Sequence, residues 1–183
     1  YSVAMGHRAN AEGGSSVGIG YLANANASYA VALGLSANAT GMRAAALGAN
    51  TTASGARAIA LGENSIADGV NAIAMGVLSN ASNTDSMALG TRTKALGGRT
   101  VAIGWSSLAN ANQAVAIGVD SKSSGVDSMA FGSYANSSGE RAVAIGRASL
   151  ANASQSMAMG VQANASGINA MAFGTNSNAN LEN

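Results

Sequence analysis

Gly14-Ser15-Ser16-Val17-Gly18 has the spacing G-x-S-x-G, in which a serine nucleophile sits on a sharp turn between a strand and a helix. Acyl transfer at such a serine also requires an imidazole within hydrogen-bond reach to take the hydroxyl proton. The chain has one histidine, His7, and no helical periodicity follows the motif, so no nucleophile is predicted. Gly18-Ile19-Gly20 begins like a dinucleotide-binding fingerprint and fails for the same reason, because a pyrophosphate needs a helix N-terminus behind the loop. Asp68, Asp85, Asp120 and Asp127 offer calcium chemistry, but they occupy three different offsets in the repeat described below, whereas calcium-binding rolls hold Asp at one fixed offset. The absence of cysteine removes thiolate metal sites and disulfides. We therefore expect no catalytic residue, no cofactor and no metal, in a protein that is not an enzyme.

Composition points away from charged partners as well. Only 9% of residues are charged and the formal net charge is +1, which leaves no electrostatic footprint for nucleic acid or anionic lipid. Signal-peptide, membrane-spanning and heptad patterns are absent, and this segment is expected to make no membrane contact.

What the chain does contain is one five-residue unit written thirteen times, as in Ala114-Val115-Ala116-Ile117-Gly118. The closing glycines, among them Gly34, Gly62, Gly90, Gly118, Gly146 and Gly174, recur every fourteen residues with no insertion or deletion. A fixed period of this kind signals a stacked repeat. The predicted fold is all-β: a parallel β-roll of 13 coils of 14 residues, two short strands per coil, forming a single domain over 1–183. A fourteen-residue coil meets the crossover length that parallel pairing demands by using its second strand as the connection. No polar, atypical capping repeat stands at either end, so the segment is expected to be an excised piece of a longer array.

Counted from the closing glycine as position 0, each position becomes a column down the stack. Positions 11 and 13 are large and apolar with the single exception of Ala45, and position 12 is Ala everywhere but Gly18. Alternation with period two marks a strand. Placing the large side chains inward makes Val31, Leu33, Val115, Ile117, Val143 and Ile145 the expected core. The alanines between them (Ala32, Ala60, Ala88, Ala116, Ala144 and Ala172) never give way to anything larger, which predicts a partner chain close against that face. Positions 3 to 5 form the second strand, small-polar-small. Gly13, Gly41 and Gly55, at position 7, mark a second turn where positive φ is expected. Variable residues crowd the first turn, and Tyr21, Trp105, Tyr134 and Arg147 are the expected ligand contacts, because projecting turns carry recognition on a rigid scaffold. In the column before the long strand, Asp85 with Arg99 and Asp127 with Arg141 stand one coil apart, within reach of pairing, although a solvated rim is the preferred reading.

Tandem copies of Ser16-Val17-Gly18-Ile19-Gly20, Ala114-Val115-Ala116-Ile117-Gly118 and Ala142-Val143-Ala144-Ile145-Gly146 resemble the head domain of YadA-like trimeric autotransporter adhesins, and the resemblance covers the whole chain. It implies a left-handed roll, a homotrimer, and display on a bacterial cell surface through an outer-membrane anchor in a C-terminal region absent here. It also implies attachment to host extracellular matrix or a cell-surface receptor. The motif associated with collagen in that family starts Asn-Ser, and Gln113–Ser121, Arg99–Ser107 and Arg141–Ser149 all lack that pair. Two other functions fit the repeat: a structural spacer for a distal binding domain, and an ice-binding solenoid, against which stands the lack of a Thr array.

Overall fold

A computed structural model describes residues 1–180; the last three residues of the expected 1–183 roll lie outside the described residues. The chain forms two compact units, Tyr1–Arg92 and Thr93 onward. Each is a parallel β-solenoid, and no helix occurs among the described residues. In the first unit, three-residue strands such as Val31–Leu33, Ala45–Leu47 and Ile59–Leu61 pair parallel with one another. Two-residue strands such as Asn38–Ala39 and Thr52–Ala53 build a second ladder. The second unit repeats the plan with Val115–Ile117, Met129–Phe131 and Val143–Ile145 on one side and Lys122–Ser123 and Asn136–Ser137 on the other. Every Cα partner lies fourteen residues away (Val31 on Ala45, Val115 on Met129), so the repeat length is itself the register.

The interior reverses the expected assignment of core and contact face. Ala32, Ala60, Ala88, Ala116 and Ala144 have 0% exposure and Ala172 has 2%, and what covers them is their own coil. Val31, Val115, Ile117 and Val143 are only half-buried, while Leu33 and Ile145 are exposed. The reason is the bore of the coil. Fourteen residues wound into two strands and two turns leave an interior four columns wide, at positions 3, 5, 10 and 12, and all four hold Ala, Ser or Thr apart from Gly18. Large side chains do not fit between sheets this close, so period two points them outward.

Most hydroxyls in this methyl-lined interior donate to a carbonyl, while those of Ser16 and Ser107 are buried without a partner. Ser65 Oγ donates to Gly62 O at 3.0 Å and Ser149 Oγ to Gly146 O at 2.9 Å, each closing the first turn from within. Ser86, Thr100 and Ser156 close the second turn in the same way, on Asn83 O, Gly97 O and Ala153 O. In the second unit Ser123 and Ser137, the only two departures from Ala in their column, meet Ser128. Ser123 Oγ and Ser128 Oγ are 2.5 Å apart, and Ser137 Oγ donates to Ala142 O at 2.8 Å.

The closing glycines have positive φ: Gly34 (135°), Gly62 (124°), Gly90 (130°), Gly118 (134°), Gly146 (126°) and Gly174 (108°). A Cβ on Gly34 would also lie 2.3 Å from the carbonyl oxygen of Gly48 in the next coil. The second turn differs from expectation. Gly13, Gly41 and Gly55 do not have positive φ; at Gly41 it is space that is short, since a Cβ would stand 2.0 Å from Gly55 O. Positive φ instead falls on non-glycine residues at positions 2 and 9, such as Asn50 (53°), Asn71 (57°) and Ala148 (54°).

Candidate functional site

Period two, with the interior taken by alanine, gives the roll two unlike outer faces. On the long-strand face of the first unit Leu33, Ile59, Leu61 and Met75 are 37–41% exposed. On the second unit Met129 (42%) and Ile145 (38%) stand in the same two columns. Rungs about 4.8 Å apart make these columns a continuous apolar strip within each unit. Isolated exposed apolar residues are ordinary, whereas a contiguous strip marks an interaction surface.

The short-strand face is polar at most rungs, with Ile66, Leu108 and Leu150 interrupting it, and some of its polar groups bond from rung to rung. Asn24 Nδ2 donates to Asn38 Oδ1 at 2.9 Å and Ser54 Oγ to Asp68 Oδ1 at 2.5 Å. In the second unit Ser166 Oγ donates to Asn180 Oδ1 at 2.6 Å. All three bonds span one coil, so the amides and hydroxyls of this face knit the ladder together.

The two turns form the lateral edges. Beside the first strand His7 stacks on Tyr21, with ring centroids 5.3 Å apart and 9° between planes. On the opposite edge the Arg43 guanidinium lies over the Tyr29 ring at 5.8 Å. One coil beyond Arg43, Arg57 Nη1 donates to Asn71 Oδ1 (3.1 Å) and Asn71 Nδ2 donates to Asp85 Oδ1 (2.8 Å). Among the described residues Asp127 and Arg141 do not pair: Arg141 lies 3.6 Å from Glu140, because sequence neighbours on an exposed turn reach each other more easily. Both side chains are more than half exposed, where such a pair contributes about 0–1 kcal/mol.

The residues singled out for chemistry stay apart. Ser16 is buried, with its hydroxyl unpartnered in the interior, and His7 is stacked on an exposed turn. Among the described residues no group of three or more His, Asp or Glu side chains gathers to hold a metal ion. Tyr21, Trp105 and Tyr134 are exposed (48%, 46% and 59%), as is Arg147, and all four lie on the turn after the long strand. Tyr21 belongs to the first unit, and in the second Trp105, Tyr134 and Arg147 stand on three different coils rather than gathered.

Sequence reasoning missed the left-handed residues at positions 2 and 9. Their signal was present: among the described residues, the twenty-five non-glycine residues with positive φ include no Val, Ile or Thr, although the flanking positions 1 and 8 hold Val and Thr. Branching at Cβ is least tolerated in that conformation, and Asn and Asp, which tolerate it best, fill eight of the places.

The sequence model of the YadA head domain repeat (2 copies) matches residues 1–23, 11–37, 25–51, 39–65, 53–79, 67–93, 95–121, 123–149 and 150–183. The chain belongs to the YadA head-repeat family. As such it is an adhesin-type head domain, built on the YadA head repeat from the first coil to the last. Among solved structures it is similar to the collagen-binding domain of the Yersinia adhesin YadA, with 29% identity over 80% of this chain and a TM-score of 0.37. The chain spans 66% of that domain's length. No curated protein matches it.

Proposed function

We propose that this YadA-type head works as a homotrimer on a bacterial surface and attaches the cell to host extracellular matrix or a cell-surface receptor. The observation that carries the reading is the apolar strip of Leu33, Ile59, Leu61 and Met75 on a chain whose interior its own alanines already fill. An isolated coil buries only methyl-sized groups, about one CH₂-equivalent each at roughly 0.8 kcal/mol, against about 1–2 kcal/mol of backbone entropy per residue. Burying the large columns against two other copies supplies the missing apolar area. The long-strand faces then surround the threefold axis, and the polar short-strand faces remain in water.

Ligand contact falls to what the trimer leaves exposed, first of all the turn residues Tyr21, Trp105, Tyr134 and Arg147. Repetition on a rigid scaffold raises avidity from contacts that are individually weak. The test has two stages. Light scattering coupled to size exclusion should give three times the 17.7 kDa chain mass. Immobilised matrix proteins and host cells should then capture the head, and a Trp105→Ala, Tyr134→Ala variant should bind several-fold less. A monomer, or a trimer that binds no matrix protein and no cell, sinks the adhesive reading and leaves a spacer.

A further inference from the structure

The two lateral edges of the roll carry apolar side chains that neither edge buries. At position 8, only four residues of the whole chain are large and apolar: Met42, Val70, Val126 and Ile168. Each has a large apolar residue of position 1 seven places away, on the opposite edge. In the first unit the pairs are Leu35 with Met42 and Val77 with Val70; in the second they are Val119 with Val126 and Val161 with Ile168. All eight are 36–49% exposed in the single chain. Charge follows the same spacing, for Arg147 at position 1 stands seven residues from Glu140 at position 8, and both are exposed.

Seven residues are half a coil, so members of a pair differ in height by about 2.4 Å along the stack, half of one rung. Within one chain they cannot touch, because three-residue strands such as Val31–Leu33 hold the two turns about 10 Å apart. Closed rotational symmetry has no translation along its axis, so residues at equal height in different copies are the ones that meet. A cyclic contact is also heterologous: it brings one edge of a copy against the opposite edge of the next. Under such a rotation each position-1 side chain falls between two position-8 side chains of its neighbour. Each of the four large apolar residues at position 8 then meets a large apolar residue at position 1, and Arg147 meets Glu140.

We propose that this turn-to-turn seam, position 1 of one copy against position 8 of the next, joins the edges of neighbouring chains in the assembly. The inference rests on the homotrimer reading and adds to it which surfaces interlock outside the apolar strip. It also makes Trp105 and Arg147 parts of composite sites, in which the turn of a second chain supplies half of the surface a ligand reads.

The chain has no cysteine, so engineered thiols report without background. Three variants test the seam under oxidation: Leu35→Cys alone, Met42→Cys alone, and both together. Exposed turn positions tolerate these changes, and Leu35→Cys with Val70→Cys, two and a half coils apart in height, is the control. The seam predicts covalently linked dimers and trimers from the 35/42 double variant, with both single variants and the control staying unlinked. Light scattering under reducing conditions separates the two claims. A monomer overturns the homotrimer reading and the seam together. A trimer in which the double variant fails to link, or in which a single variant links to itself, overturns the seam and leaves the trimer standing.

Discussion

The long-strand face and the short-strand face rest on the same alanine interior and differ in outward chemistry. The first is apolar at nearly every rung and the second polar at most rungs, with Ile66, Leu96, Leu108 and Leu150 as its apolar residues. One presents Leu33, Ile59 and Leu61; the other presents Asn38, Thr52 and Ser54, paired rung to rung or standing in water. Folding of a single chain does not require that difference, because the inward columns are alike in size on both sheets. In the proposed trimer, what separates the faces is what each one meets. A face in water satisfies polar groups along its own ladder, whereas a face against another protein keeps large apolar groups and gives up hydrogen bonding.

Charge introduced on each face should break this comparison most visibly. Leu33→Glu with Leu61→Glu on the long-strand face should convert the proposed trimer to monomer, a threefold fall in mass by light scattering. Asn38→Glu with Thr52→Glu on the short-strand face should leave the mass unchanged. Equal effects on both faces would remove the distinction drawn here.

Inside against outside gives the next contrast. Ala116→Leu forces a branched side chain into a site with 0% exposure and should cost about 3 kcal/mol or more in urea unfolding, at the upper end of overpacking. Ile117→Leu, one residue along and facing out, should stay within about 1.5 kcal/mol.

Smaller effects belong to the interior hydroxyls and the turns. Ser128→Ala removes the partner of Ser123 Oγ and should destabilise by about 1–3 kcal/mol, with Ser123→Ala added on top recovering most of the loss. Ala148→Gly, at φ 54°, should stabilise by about 1 kcal/mol, because glycine adopts the left-handed region without the Cβ penalty. Ala148→Val should move the midpoint the other way.

How much of this was legible beforehand can be followed through Ala116. Its column never exceeds the size of alanine, and the surface against it, expected from a partner chain, belongs to the chain's own interior. The roll, its fourteen-residue register and its two strands per coil followed from the same spacing. The error lay in supposing that large side chains must be inside, which holds for wide domains and fails for a bore four columns across. The clue was that positions 3, 5 and 10 are small as well, and four small columns close an interior by themselves. The bonds Arg57–Asn71–Asp85 were not legible, because which neighbour an exposed side chain chooses depends on rotamers and not on spacing. The unmade Asp127–Arg141 pair is the same lesson in reverse.

The fourteen-residue register also sets how far the chain must search in order to fold. Parallel sheets ordinarily close long loops before any pairing rewards them, which makes them slow. Here each rung finds its partner fourteen residues away in a chain of 183, a relative contact order of about 0.08, in the range of helical bundles. Each coil needs only the one before it as a template, so folding can advance one rung at a time along a growing end.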